Sequence, residues 1–555
     1  MKKYKSKRGI TLVTLVITII ILLILAGISI SSLTNTGIFG KTEDAKNKSE
    51  EAQKNQQNIL TQYEKEIAIQ QSNGKWDGKV NRPEIMTGMT AIQFNDPTDT
   101  TEGSEKEVTD SNSTDWYDYD AKKWANAKTE DGSMWVWIPR YAYKVVYDDP
   151  NDKSKGGVFD IVFLIGTTDN YYDKDGNLQT AQRQTSENQT IETDSTKTDK
   201  YTVHPAFTNE TKINYANGGW RKELTGIWVA KFEAGYAGGN NGAEQKDSKI
   251  KYRQSQVWAS GYETSNGNNG SMIARNYYNP DGYDNTTTYI KYPTFQGLTY
   301  SINYMDHSDG FSISRALTDE GNIYGLSSSS TDSHLMKNSE WGAIAYLGQS
   351  QYGLDGTNIT INNLTLNNSV KTIYAVTGYA SNTGEDAEET NSMANVSKWT
   401  EKEGIAASCT GTIYGIYDLS GGGWEKTAAI VNNGNTNLNK YGKAIMNSLN
   451  NGKSTEYVTV YPVGEKSKQS LEDANKANYT VNIKIYGDAI RETSTEGIGQ
   501  LSWNSNYSYF TGSIYPFFIR GGSYFANNAA GLLCFGRRDG GNLYADGFRS
   551  VLVAQ

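Results

Sequence analysis

Gly415-Ile416-Tyr417-Asp418-Leu419-Ser420-Gly421-Gly422-Gly423-Trp424-Glu425 is followed in the chain by Arg520-Gly521-Gly522-Ser523-Tyr524 and then by Gly547-Phe548-Arg549, close to the C-terminus. Upstream, residues 334–347 read His-Leu-Met-Lys-Asn-Ser-Glu-Trp-Gly-Ala-Ile-Ala-Tyr-Leu. Asn338 or Ser339 can cap a helix there, with Trp341, Ile344, Ala345 and Leu347 on its apolar side. Trp135 to Tyr141, Ile161 to Ile165 and Gly226 to Glu233 are short apolar runs bounded by polar turns, as strands are. Residues 96–114 read as a long mobile loop and residues 235–290 as irregular. With 555 residues, 55 of them Gly and 38 Tyr, the chain holds two to four domains, or one large domain with insertions, built of short strands, many turns and a tyrosine-rich surface. A net charge of −9 argues against nucleic acid as a partner, because a phosphate-tracking protein needs a basic face.

In this order, the helix over 334–347, the Asp418 loop and the final Arg520…Arg549 motif resemble the formylglycine-generating-enzyme-like branch of the C-type lectin superfamily. That family has a Glu-Trp helix, a Gly-Leu-Tyr-Asp-Met-x-Gly-Asn-x-Trp-Glu loop and a C-terminal Arg-Gly-Gly-Ser-Trp…Gly-Phe-Arg. The resemblance covers residues 334–555 directly and extends to about residue 75. It implies a lectin-like head in which Trp341, Asp418, Trp424, Arg520, Gly521, Gly522, Phe548 and Arg549 support the fold. Arg520 and Arg549 can make bidentate contacts with carboxylates or carbonyls and hold the C-terminal strands in register.

The same resemblance argues against catalysis. The family's oxidases use two copper-binding cysteines just after the Gly-Gly-Ser-Tyr turn, since two soft thiolates suit Cu(I). Here that stretch is Phe525-Ala526-Asn527-Asn528-Ala529-Ala530-Gly531. The chain's two cysteines, Cys409 and Cys534, read as small buried hydrophobes, with a disulfide between them as the other option. Two cysteines also exclude a disulfide scaffold and a four-cysteine zinc site. No catalytic residue, metal ligand or cofactor is expected; a structural calcium is left open. Asp173-Lys174-Asp175-Gly176-Asn177 reads as a tight hairpin turn, because a calcium loop in that register would begin at Tyr171. His334 is expected to be structural, His204 to lie in a loop, and Glu340 to be a buried polar contact.

Residues 521–548 contain no Lys, Gln, Glu, Trp or Met, although the rest of the chain is rich in Lys, Glu and Gln. Codons ending in a pyrimidine cannot encode those five residues, and randomised Asn codons yield the residues found. Composition and C-terminal position resemble the variable region of proteins diversified by retroelements. On that view Tyr524, Phe525, Asn527, Asn528, Arg538, Asp539, Asn542 and Tyr544 reach solvent together and bind a protein or glycan on another cell or a phage. Alternation along the central strand is expected to bury Leu533 and Phe535, with Cys534 and Gly536 on its other face.

At the other end, residues 1–8 carry five basic side chains, and no charge occurs from Gly9 to Gly40. Ile10 to Leu33 is a 24-residue apolar run, about 36 Å long as a helix and enough for a bilayer. The basic flank would keep the N-terminus inside and the remainder outside the cell. Lys7-Arg8-Gly9-Ile10-Thr11-Leu12 resembles the class III leader of type IV pilins. This implies a prepilin peptidase that cuts between Gly9 and Ile10, although Thr14 stands where that family has glutamate. Thr42 can cap a second helix whose thin apolar stripe is Ala45, Ala52, Ile59, Tyr63 and Ile67.

The expected class is therefore α+β: a leader (1–9), a long hydrophobic helix (10–34), a stalk helix (35–74) and a loop-rich lectin-like head (75–555). The expected function is a non-catalytic, adhesin-like head displayed on a bacterial, Gram-positive surface, anchored through residues 10–33 or held among pilus or pseudopilus subunits. A formylglycine-generating-type oxidase and a structural minor pilin are the competing classes. The intact mass of wild-type protein extracted from membranes is expected to lack residues 1–9, and that of Gly9→Val to retain them. A wild-type mass that includes residues 1–9 would leave a simple uncleaved anchor.

Overall fold

The computed structural model describes residues 42–94, 105–183, 200–209, 219–236, 293–302, 305–363, 366–368, 371–373, 375–381, 396–450, 455–465, 471–482, 485–541, 543 and 545–555. Two units are distinguished, residues 1–66 and 67–555. The leader, the Gly9–Ile10 junction and the apolar run all lie outside the described residues. Helix α1, Thr42–Gln71, is 30 residues long and polar, and its Ile59, Tyr63 and Ile67 are exposed. It ends where Asn73 and Gly74 take φ of 54° and 77°, a left-handed stop that favours these two residue types.

The expected fold class is corrected here. No helix among the described residues is long and apolar enough to cross a membrane. The body is mainly sheet. Beyond α1 the described α-helices run only from 6 residues (Thr436–Tyr441) to 12 (Leu471–Asn482).

The larger sheet has seven strands: β1 (Met89–Phe94), β2 (Glu105–Glu107), β3 (Asn126–Thr129), β4 (Met134–Pro139), β5 (Gly226–Ala230), β6 (Thr331–Leu335) and the C-terminal β12 (Ser550–Ala554). Its order is β6-β12-β5-β4-β3-β1-β2. A second sheet holds β7 (Trp424–Val431), β8 (Thr459–Tyr461), β9 (Phe517–Arg520), β10 (Phe535–Arg538) and β11 (Asp546–Phe548). Strand β5 is buried along its whole length. Trp228 on β5 lies opposite Trp137 on β4, with ring centres 5.3 Å apart. Trp116, Trp124, Trp135 and Trp341 are also fully buried, so large aromatic area supplies much of this core.

Part of the expected 96–114 loop is strand β2, whose Glu105 pairs with Lys128 at 2.8 Å. Charged residues suit it because it is an edge strand. The Asp173 segment is a turn between Asn170–Tyr172 and Leu178–Thr180. Its carboxylate accepts the Asp175 and Asn177 amides and the Gln179 side chain.

Helix α2 spans His307–Arg315 and α3 spans Asn338–Gly348. The N-cap of α3 is Lys337 rather than Asn338 or Ser339, and Glu340 Oε2 accepts the Lys337 amide at 2.9 Å. Glu340 is buried beside His334, whose Nε2 lies 2.9 Å from Glu340 Oε1 and whose Nδ1 lies 3.3 Å from Asp332 Oδ1. Both imidazole nitrogens are thus engaged. Burial alone would lower the His334 pKa, but the Glu340 charge and the bonds to both carboxylates hold it above its ordinary value. Stability from this contact is fully present below about pH 6.5, the unfolded value. It fades as pH rises through the folded value. His334→Gln is expected to lower the melting temperature most near pH 5.5, and the gap to wild type should narrow as the buffer is made alkaline. A gap independent of pH would show that the imidazole is not charged in the fold.

Candidate functional site

The C-terminal segment is pinned at both ends. At its start Arg520 lies opposite Glu425 across the β9–β7 ladder and opposite Phe535 across β9–β10. At its end β11 runs parallel to β7, with Gly547 opposite Glu425. Glu425 therefore borders both ends. Its carboxylate accepts two bonds from the Arg549 guanidinium, Nη2 to Oε1 at 2.6 Å and Nε to Oε2 at 3.0 Å. The same guanidinium donates to the carbonyls of Ala230 and Tyr417, each at 2.7 Å. One buried side chain thus joins β5, the Asp418 loop, β7 and the approach to β12.

The Asp418 loop is held by its own carboxylate. Asp418 adopts φ 62°, and its Oδ1 accepts from Asn362 Nδ2 at 2.7 Å and the Gly378 amide at 2.9 Å. Glu233 accepts the Gly423 amide at 2.8 Å and the Ser301 hydroxyl at 2.7 Å. Gly422 takes φ 69°, and a Cβ there would meet Glu233 Oε1 at 2.5 Å. Burial, then the nearby Asp418 and Glu425 charges, push the Glu233 pKa well above the carboxylate range. Burial raises the pKa values of Asp418 and Glu425 as well, so the three buried carboxylates around Arg549 resist ionising together.

Trp341 and Trp424 are buried, and Trp341 Nε1 donates to the Leu532 carbonyl at 2.7 Å. Arg520 makes no bidentate contact. Its Nη1 donates to the Asp488 carbonyl at 3.0 Å, while Nε and Nη2 have no hydrogen-bond partner. Gly521 and Gly522 turn the chain away from β9, with φ of 82° and 78°. Phe548 is buried.

The eight expected surface residues do not form one exposed set. Tyr524 is buried against Ala375 and Ala545, which correct its expected exposure. Phe525 is 44% exposed and meets the Tyr524 ring edge-on at 5.0 Å. Asn528 is exposed. The side chain of Asn527, and Asn542 and Tyr544 altogether, lie outside what is described. Arg538 does not pair with Asp539; it grips Asp546, with Nη2 to Oδ1 at 3.0 Å, and Lys426 Nζ sits 2.7 Å from Asp546 Oδ2. Burial would raise the Asp546 pKa, but Lys426 and Arg538 hold it below its usual value. Asp539 is half-buried and accepts the Gly541 amide at 3.0 Å.

Leu533, Cys534, Phe535 and Gly536 are all buried, so both faces of this stretch are covered. Cys409 and Cys534 are free thiols, and burial raises both pKa values, that of Cys409 to about 12. His204 is buried and accepts the Ala206 amide at 3.2 Å. No group of three His, Cys, Asp or Glu among the described residues is placed to hold a metal ion.

A cation that no local sequence motif marks lies within this segment. Arg537 shares its face of β10 with Phe535, and its guanidinium lies 5.3 Å from the Tyr509 ring centre and 5.6 Å from that of Tyr515. Its Nη1 has no hydrogen-bond partner. The signal that could have found it is the two-residue alternation of Tyr507 and Tyr509 outward with Ser508 and Phe510 inward.

No protein-family model and no curated protein matches the chain. Arg549→Ala would strand Glu425 and two carbonyls in the interior. The expected loss is about 3–5 kcal/mol of stability, read as a lower melting temperature. An unchanged melting temperature would remove Arg549 from its structural role.

Proposed function

We propose that this chain displays a non-catalytic ligand-binding head outside the cell, and that it binds through the surface carried by residues 521–548. The observation that carries this reading is a large aromatic side chain, Phe525 at 44% exposure, held on a segment whose two ends are fastened to β7. An exposed aromatic with an amide neighbour such as Asn528 offers flat apolar area and adaptable hydrogen bonding, which suits a protein or glycan contact. A rigid frame lowers the ordering cost of binding.

The sequence motifs support a lectin-like head of the formylglycine-generating-enzyme type. The absence of Lys, Gln, Glu, Trp and Met from 521–548 supports diversification of that surface by a retroelement. The basic leader and the apolar run 10–33 support attachment to the cell surface, with a prepilin peptidase as a processing partner.

Phe525→Ala and Asn528→Ala are expected to keep the melting temperature, because surface changes stay within about 0.5 kcal/mol. Attachment of the protein to host or bacterial cells should fall by about tenfold or more for Phe525→Ala, the loss expected for an interface anchor. Unchanged attachment of both variants would remove the surface from the function.

A further inference from the structure

We propose that Arg537, with the Tyr509 and Tyr515 rings beside it, forms a subsite for the carboxylate of an acidic sugar. The proposal deepens the reading of residues 521–548 as a binding surface and rests on it. Two adjacent arginines have opposite fates in β10. Arg538 is committed to Asp546. Arg537 faces the other way, half-buried, with the Tyr509 and Tyr515 ring centres 5.3 and 5.6 Å from its guanidinium.

A guanidinium resting on aromatic rings keeps its charge, and the buried, unpartnered Nη1 of Arg537 is a donor that a bound anion would satisfy. The partner that fits such a fork is a planar anion with two oxygens, which a carboxylate supplies. The chain as a whole carries a net charge of −9, whereas no carboxylate among the described residues forms an ion pair with Arg537, and recognition must come from contact rather than from long-range attraction.

The rings define what accompanies the carboxylate. Tyr509 and Tyr515 are half-buried, and Ile514 beside Tyr515 is 49% exposed. These are flat apolar surfaces with hydroxyl edges, matched to the C–H face and hydroxyls of a pyranose ring. A peptide laid on as an extra strand fits less well. The Phe535 amide already donates to the Tyr507 carbonyl, and the Phe535 carbonyl accepts the Tyr509 amide, each at 3.0 Å. The chain itself thus occupies the sheet edge there, where strand addition would need free groups.

The test is calorimetric titration of the full chain in detergent with three probes: a galacturonic acid oligosaccharide, the matching neutral galactose oligosaccharide, and polyglutamate. The acidic sugar is expected to bind at least about tenfold more tightly than the neutral one. Arg537→Gln should weaken it by about tenfold to a hundredfold, and Arg537→Lys, which keeps the charge without the planar fork, should fall between. All variants should melt as wild type does. Equal affinity for acidic and neutral sugars, no binding of either, or preference for polyglutamate would overturn the proposal. Cell attachment separates the two levels: loss with Phe525→Ala but not with Arg537→Gln keeps the binding surface and removes this subsite, whereas no loss with either removes the surface as well.

Discussion

The buried pair of Arg549 and Glu425 is the constraint on which the C-terminal half of this molecule depends. A charge taken out of water must find compensation at every donor. Here the guanidinium does so by drawing together a carboxylate on β7 and two carbonyls, Ala230 on β5 and Tyr417 in the Asp418 loop. Those partners come from segments far apart in the chain. Once they converge, β11 must return alongside β7 and β12 must enter the larger sheet, pairing Leu552 with Trp228 and Val551 with His334. The two sheets are thereby joined through polar geometry as well as through apolar packing.

A second buried cation works in the same region. Lys231 Nζ donates to Asn126 Oδ1 and to the carbonyls of Ile413 and Gly415, at 2.9, 2.6 and 2.9 Å. The rings of Phe94, Tyr417 and Trp399 surround it. Burial pushes its pKa down, yet three carbonyl oxygens and three aromatic faces match the three donors of an ammonium. The start of the Asp418 loop is thus fixed to β3 and to the residue that follows β5. Loops held this firmly can support an exposed segment without regular structure beneath every residue.

The sequence made some of this legible and hid the rest for physical reasons. Arg549, Asp418 and Trp341 could be singled out because each lies in a dense local motif with glycine or aromatic neighbours. The α3 helix was legible from its apolar side, but its cap was displaced to Lys337 because Glu340 reaches back to that amide. Tyr524 read as a surface residue, yet its neighbours are Ala375 and Ala545, and no local pattern reveals a contact with Ala375. Strand β2 read as loop because Glu105-Lys106-Glu107 has no apolar residue; its pairing with β1 and Lys128 is decided by tertiary context. The roles of Arg537 and Arg538 could not be separated in one dimension, because the choice rests on the ladder that sets Phe518 against Arg537 and Phe517 against Arg538.

That ladder also makes the length of the segment matter as much as its composition. Side chains along β10 alternate between two environments, one holding Asp546 and Lys426 and the other holding tyrosine rings. Deleting or inserting one residue between Gly531 and Phe535 would slide the strand by one position and exchange the two faces. The arginine that now neutralises Asp546 would turn toward the rings, and Phe535 would leave its place beside Phe510 and Phe518. Substitutions at outward positions, by contrast, leave the alternation intact. In evolutionary terms this region tolerates point replacement far better than changes in length, and related chains with the same frame should vary in side chains while keeping the spacing from Arg520 to Arg549.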